Sequence, residues 1–298
     1  MQIRKIGVLG AGQMGLGIAQ AAARAGFETI LTKATPGTLD GPRKKVEAQL
    51  AKDVERGKLT AADHGALLER LHWSTHLHDL ADVDLLIESI VEELPTKRDQ
   101  FSRLDEVVKD EAIFATNTST LTVAEIAAAT RRPERFIGLH FFNPVHAMKL
   151  VEVAPALRTS GETVATCVAF AKQLGKTPVV VADSTGYIVN RLLVPYMVDA
   201  IACFERGLGS IVDIDTAMTN GANHPMGPLA LADFIGLDIV FHMASLLQEE
   251  YKEPRFAPPS LLRRMVLAGM LGRKTGTGFY VYDAQPPRPN EALGRRAA

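Results

Sequence analysis

The sequence predicts an α/β architecture: a doubly wound, mostly parallel sheet covered on both faces by helices and followed by an all-helical domain. Three observations predict it. Up to about residue 183, short apolar runs alternate with longer helical stretches, the pattern of parallel strands joined by helical crossovers. The runs are almost continuously apolar, as strands covered on both sides must be. From about Ser184 the strand signals stop and long amphipathic patterns follow.

In chain order, the strands are expected at Lys5–Leu9, Glu28–Thr32, 85–89, Ile113–Thr116, Phe136–Phe141 and 179–181, with a further strand at 150–153. Between the second and third of these strands lies a polar interruption, residues 43–71, read as a helical hairpin leaning off the sheet. Its cations (Lys44, Lys45, Lys52, Arg56, Lys58) form either a solvated face or a cationic edge for a phosphate-bearing substrate. Helical patterns then run at 187–206, 213–220, 229–250 and 260–268. The expected domains are therefore 1–183, with the hairpin inserted, and 184–283. Residues 284–298, rich in Pro, Arg and Ala, are expected to form a mobile tail.

The bulk properties exclude several classes. A net charge of −1 and a pI near 6.7 leave no basic surplus for nucleic acid or an anionic membrane surface. No apolar run approaches the ~20 residues of a membrane span. The N-terminus opens on charges and a strand, so a cytoplasmic location is expected. Cys167 and Cys203 sit far apart in apolar helical patterns, which argues against a disulfide framework or a metal site.

The strongest local motif is Gly10-Ala11-Gly12-Gln13-Met14-Gly15, placed directly after the first strand and opening a helix. Gly10 permits the tight turn, Gly12 lets a pyrophosphate approach the backbone, and Gly15 allows close helix–strand packing. The helix N-terminus adds partial positive charge. This is the dinucleotide loop of a Rossmann-type fold. FAD would fit the same loop, but nothing else in the chain points to flavin chemistry. At the end of the second strand, where NAD-binding folds place an acid on the ribose hydroxyls, the sequence reads Thr32-Lys33-Ala34. A lysine cannot accept from the diol but can pair with a 2′-phosphate. NADP(H) is thus slightly favoured over NAD(H), the alternative being a Lys33 that points into solvent.

Three segments end strands with polar residues: Thr116-Asn117-Thr118-Ser119, Leu139-His140-Phe141-Phe142-Asn143-Pro144, and Leu150-Val151-Glu152-Val153. In a doubly wound sheet the ligand crevice lies at the carboxyl ends of the strands, so these segments should converge. A lone strand histidine is more often a satisfied core residue than a catalyst. Glu152, flanked by valines, changes that balance, because a buried carboxylate needs a cation or several donors. A His140–Glu152 pair resolves both oddities: the carboxylate fixes the tautomer, and the other ring nitrogen acts as general acid or base. Ser119 and Asn190 could add donors toward a substrate oxygen, although each alone would pass for a helix cap.

The segments GVLGAGQMGLGIAQ, IESIVEE, FATNTST, RFIGLHFFNPVHAMKLVEV, STGYIVNRLLVPY, HPMGPLALADFIGLD and GRKTGTGFYVY together resemble the 3-hydroxyacyl-CoA dehydrogenases, in order, from residue 3 to about 282. The resemblance implies a stand-alone enzyme that interconverts (S)-3-hydroxyacyl-CoA and 3-oxoacyl-CoA, with 3-hydroxybutyryl-CoA and acetoacetyl-CoA the first substrates to consider. It implies that His140 is the acid/base on the C3 oxygen, Glu152 its orienting carboxylate, Ser119 a hydroxyl toward the substrate carbonyl and Asn190 a supporting amide. Glu92, Lys97, Asn117, Asn143 and Lys274, with Gly10, Gly12, Gln13, Met14, Gly15 and Lys33, become the cofactor positions. The hairpin becomes the grip on CoA through Lys52 and Arg56, and the helical domain the dimer interface. Two departures stand out: Lys33 replaces an acid, and His146 replaces a common proline. Two alternatives remain, a non-catalytic relative that keeps the fold, and a phosphogluconate-type enzyme with a catalytic lysine. The second lacks its glycine-bounded lysine motif here.

Overall fold

The computed structural model describes residues 2–294, and these divide into two compact units, one ending at Tyr187 and the next beginning at Ile188. In the first unit eight strands form one sheet: β1 (Lys5–Leu9), β2 (Glu28–Thr32), β3 (Leu71–Ser74), β4 (Leu85–Glu88), β5 (Ile113–Thr116), β6 (Phe136–Phe141), β7 (Leu150–Pro155) and β8 (Thr177–Val180). Their spatial order is β3-β2-β1-β4-β5-β6-β7-β8, and every neighbouring pair is parallel except β6 with β7. The order reverses between β1 and β4, which puts the switch point beside the glycine loop.

Period-two alternation sorts each strand's side chains into two cores. Leu85, Ile87, Ile113 and Ala115 join the cluster under helices Gln13–Arg24 and Gly161–Gln173, while Leu86 and Phe114 join Phe101, Leu104 and Ile126 on the opposite face. The helix Gly161–Gln173 begins where the Ser160 hydroxyl accepts from the Thr163 amide, 3.1 Å away.

The expected hairpin is present as helices Asp40–Glu55 and Ala61–Arg70. It does not lean away from the sheet: Val46, Leu50, Leu59 and Leu67 are buried in the same core as the first helix. Its polar side carries Lys44, Lys45, Lys52, Arg56 and Lys58, all exposed. β3 follows it directly. Its four residues, Leu-His-Trp-Ser, are too short and too polar to read as a buried strand, and sequence reasoning ended the hairpin on its first residue.

The second unit is built on helices Val189–Glu205, Ile211–Thr216, Pro228–Ile235, Leu237–Tyr251 and Ser260–Leu267. The single helix expected over 229–250 is two, meeting at 97° at Gly236, whose φ of 109° no helix accommodates. Two buried carboxylates tie this unit together. Asp215 accepts from the amides of Leu229 and Ala230, and Asp233 from those of Phe279 and Tyr280 and from the Tyr282 hydroxyl. Burial pushes the Asp233 carboxyl up to about 6 despite these donors. A methyl group on Gly278 would stand 1.9 Å from Asp233 Oδ1, so the glycine is obligatory.

The start of the segment expected as a tail, 284–298, is tied back to the fold. β9 (Tyr280–Val281) pairs with β10 (Arg288–Pro289), and the buried Asn290 donates through Nδ2 to the Gly278 carbonyl at 2.8 Å. Those bonds hold the chain to the helical unit; residues 295–298 lie outside the described residues. Among the described residues no single helix is long and apolar enough to cross a membrane.

The Asp233 anchor predicts that Gly278→Ala destabilises the protein by about 2–4 kcal/mol, through overlap and lost carboxylate bonds. Gly221→Ala, where nothing lies within 4 Å of the added methyl, should stay within about 1 kcal/mol. Urea denaturation of both variants checks this, and equal midpoints would refute the anchor.

Candidate active site

The glycine loop has the shape its residue types predict. Gly10 sits at φ 121°, and a methyl there would lie 2.2 Å from the Ser89 carbonyl oxygen. A methyl on Gly15 would lie 1.9 Å from the Gly10 carbonyl oxygen, so the helix is packed onto the strand end. At Gly12, by contrast, nothing lies within 4 Å, which leaves its backbone open to a ligand. The helix that starts at Gln13 has neither a side-chain cap nor an acid in its first turn. Open backbone, uncapped amides and no competing carboxylate together fit a pyrophosphate. Lys33, at the end of β2, donates from Nζ to the carbonyls of Pro36 and Thr38, both at 3.3 Å, and so closes its own loop.

The carboxyl ends of β1, β4, β5 and β6 are joined by side chains. Asn117 Nδ2 donates to Ser89 Oγ at 3.2 Å, and Asn117 Oδ1 accepts from the Phe141 amide at 2.8 Å. Gln13 Nε2 donates to Asn143 Oδ1 at 2.9 Å. Asn117 and Asn143 therefore brace the rim, with Asn143 exposed beside the start of the glycine-loop helix.

The expected pair is formed. β6 and β7 run antiparallel with His140 directly opposite Glu152, and His140 Nδ1 lies 2.8 Å from Glu152 Oε2. A carboxylate can only accept, so Nδ1 carries the proton and Nε2 is the nitrogen available for exchange. His140 is 6% exposed and Glu152 1%. The imidazole lies against the rings of Phe142 and Tyr187, with centroids 4.5 and 5.4 Å away, so it keeps one orientation. His146 is exposed in the loop beyond.

Ser119 lies in the turn after β5, and that turn is organised by Glu92. Glu92 Oε1 accepts from the Thr118 hydroxyl (2.5 Å), the Ser119 amide (2.8 Å), and the Thr120 amide and hydroxyl (both 3.1 Å). Burial alone would raise the Glu92 carboxyl, but the Lys97 charge and these donors outweigh it and hold it below its usual value. Lys97 is 1% exposed, its ammonium held between Glu88 Oε1 at 2.6 Å and Glu92 Oε2 at 3.2 Å. Glu88, fully buried at the end of β4, was missed by sequence reasoning. It also accepts from the Thr116 hydroxyl and the Ile90 amide, each at 2.7 Å. The signal was there, an acid closing the apolar run Leu85-Leu86-Ile87-Glu88, the same oddity that exposed Glu152.

Asn190 and Lys274 belong to the second unit. Asn190 is the second residue of helix Val189–Glu205, and Lys274 Nζ pairs with Asp238 at 2.6 Å. Lys52 and Arg56 stand exposed on the hairpin.

A dinucleotide loop at the switch point of a parallel sheet, with a carboxylate-paired histidine on β6, fits the class of nicotinamide-dependent hydroxyl dehydrogenases. The chain belongs to the 3-hydroxyacyl-CoA dehydrogenase family: residues 5–184 match that family's NAD binding domain and residues 186–282 its C-terminal domain. A probable 3-hydroxybutyryl-CoA dehydrogenase of Deinococcus radiodurans is 46% identical over 93% of this chain and 100% of its own length. A 3-hydroxybutyryl-CoA dehydrogenase of Mycobacterium tuberculosis is 44% identical over 94% of this chain and 99% of its own. The crystal structure of (S)-3-hydroxybutyryl-CoA dehydrogenase PaaH1 from Ralstonia eutropha superposes with a TM-score of 0.91 at 42% identity, covering 95% of this chain and 100% of that one. The chain is thus an oxidoreductase acting between 3-hydroxyacyl-CoA and 3-oxoacyl-CoA.

Gly15→Ala should weaken NADH and NADPH binding by at least ~10-fold, since the added methyl forces the helix off the loop. Fluorescence titration of the reduced cofactor checks this against an unchanged far-UV circular dichroism spectrum; dissociation constants within twofold of wild type would contradict it.

Proposed function

We propose that this chain interconverts (S)-3-hydroxybutyryl-CoA and acetoacetyl-CoA, with His140 as acid/base, Glu152 as its orienting carboxylate and Ser119 as donor to the C3 oxygen. The observation that carries the reading is the His140–Glu152 bond across β6 and β7. In the reductive direction His140 Nε2 delivers a proton to the forming alkoxide, and Glu152 stabilises the imidazole in both charge states. The Ser119 hydroxyl offers a placed hydrogen bond to the same oxygen. The bound nicotinamide supplies the hydride in that direction and accepts it in the other. Short-chain substrates are supported by relatives of nearly equal length that carry the 3-hydroxybutyryl-CoA dehydrogenase name.

The residues that would hold the cofactor are those of the Gly10–Gly15 loop and Lys33. The absence of an acid at the end of β2 supports NADP(H), with Lys33 on the 2′-phosphate. One observation favours NAD(H) instead: the Lys33 ammonium is already bonded to two carbonyls of its own loop. On the hairpin, the exposed Lys52 and Arg56 suit the phosphates of CoA. The exposed Leu192, Val212, Phe234 and Ile239 of the helical unit support pairing with a second copy.

Initial rates of acetoacetyl-CoA reduction test the reading. His140→Asn should lower kcat by about 10²–10⁴-fold, the usual worth of a positioned acid/base, with reduced-cofactor binding unchanged. Lys33→Asp should turn an NADPH preference toward NADH by ~10-fold or more, the worth of a charge-assisted hydrogen bond. A wild type that prefers NADH and ignores the Lys33 change supports the NAD(H) reading. A His140 variant with wild-type kcat sinks the assignment.

A further inference from the structure

One aromatic residue touches the proposed acid/base without a role of its own in the reaction. Tyr187 is 5% exposed, and its ring centroid lies 5.4 Å from that of His140. Its backbone is left-handed, at φ 45°, a conformation that costs energy in any residue with a Cβ. Gly186 before it also has a positive φ, 80°, and the Tyr187 amide closes the turn by donating to the Ser184 carbonyl at 2.9 Å. Such strain persists only where the surroundings over-determine it, and it gathers at functional sites. Here the surroundings are supplied by β6. Gly138 and His140, two residues apart, present the same face of that strand. A methyl on Gly138 would stand 3.2 Å from the Tyr187 hydroxyl, 3.0 Å from Ala154 Cβ and 2.9 Å from Val123 Cγ2. The missing side chain is the slot that takes the phenol end of the ring, while the body of the ring lies against the imidazole. The hydroxyl is thus directed back along β6, away from the carboxyl end where the ligand crevice lies. It has no hydrogen-bond partner among the described residues. Burial, and after it the charges of Asp183, Glu92 and Glu152, push the phenol far up, so it keeps its proton.

We propose that Tyr187 is a positioning residue for His140, acting through the flat face of its ring and not through its hydroxyl. The inference deepens the proposed function and rests on the role given there to His140. The Glu152 bond holds the imidazole at Nδ1, and a ring held at one atom can still swing about that contact. Phe142 also lies against the imidazole, but it is only half-buried and follows His140 by two residues, so it gives no support from outside the segment. Tyr187 arrives from beyond β8 and is fixed by its turn and by the slot over Gly138. It therefore limits the swing of Nε2, the nitrogen that exchanges the proton.

The test uses the full chain, with acetoacetyl-CoA turnover and NADH titration as separate readouts. Tyr187→Phe, which keeps the ring, should leave kcat within about twofold of wild type. Tyr187→Met fills the space with a flexible chain and should lower kcat by at least ~10-fold, the scale of a misaligned reacting group. In that variant the KM for acetoacetyl-CoA and the NADH dissociation constant should stay within about twofold of wild type. In a His140→Asn background, Tyr187→Met should cost less than about twofold more in kcat, since residues that act as one unit are not additive. A Phe variant as slow as the Met variant would give the hydroxyl the role and overturn the proposal. Additive losses with His140→Asn, or binding weakened as much as kcat, would overturn it too. If Tyr187→Met fails to fold, Tyr187→Leu takes its place with the same expected loss, and a wild-type kcat there refutes the proposal. If His140→Asn alone turns over at the wild-type rate, the role of His140 fails and the inference goes with it. Normal loss in His140→Asn with wild-type turnover in Tyr187→Met sinks the inference alone.

Discussion

Two side chains that face each other across an antiparallel strand pair cannot be moved independently, and the site depends on this constraint. At such positions Cβ atoms lie ~4.5–5.5 Å apart, the span an imidazole and a carboxylate need to bond. β6 and β7 form the one antiparallel contact in an otherwise parallel sheet, and His140 and Glu152 are in register there. Each member explains the other. An ionised Glu152 at 1% exposure would be too costly alone, and His140 without it could turn about χ2 and change tautomer. Everything else at the rim serves that placement. Asn117 ties the end of β5 to the Phe141 amide, one residue from His140, and Asn143 ties the following loop to the glycine-loop helix.

The same device recurs away from the pair. Loops that need a defined shape are gathered by a single buried or half-buried carboxylate accepting several donors. Glu92 does this for the Ser119 turn, Asp183 for the start of helix Val123–Ala127 through two amides at 2.8 Å, and Asp215 and Asp233 do it in the helical unit. Asp105 does it with two arginines, Arg131 and Arg132, at 3.0 and 2.6 Å. A carboxylate has about four acceptor sites, more than any neutral side chain, so one residue can order three or four donors. Desolvation is the cost, and it shows in the raised carboxyls of Asp183, Asp215 and Asp233, none of which is paired with a cation among the described residues to offset burial. Glu92 and Asp105, which do have cations, are lowered instead. Glycines accompany these anchors for steric reasons: Gly227 lies against Asp215, and Gly278 against Asp233.

Much of this was legible in the residues. The strands covered on both faces, the glycine loop and the change of character near residue 184 are periodicity signals, and they survive because burial dictates them. Glu152 and His140 were found because each violates its local pattern. Glu88 violates its pattern in the same way, and only its partner, nine residues on in a helix, could have shown that it belongs to a cluster. β3 was hidden because four residues, buried only at the two ends, carry too little pattern to separate a strand from a helix end. The break at Gly236 was hidden because apolar periodicity continues through it; only the backbone angle of the glycine reveals two helices. Lys97 was placed at the cofactor by resemblance; its ion pairs with Glu88 and Glu92 follow from packing that no residue pattern encodes. Lys33 was legible as an anomaly, but its bonds to Pro36 and Thr38 follow from loop geometry that no residue pattern encodes.

The account turns on His140 holding its proton on Nδ1 against Glu152, and nitrogen-15 NMR of histidine-labelled protein near pH 8 tests that directly. His140→Asn assigns the signal, and Glu152→Gln serves as the perturbation. The account predicts a neutral His140 ring protonated on Nδ1, with a proton resonance shifted well downfield that moves upfield or vanishes in the glutamine variant. A ring protonated on Nε2, or a spectrum indifferent to Glu152, would mean that the pair does not set the tautomer, and His140 would lose its basis as the acid/base.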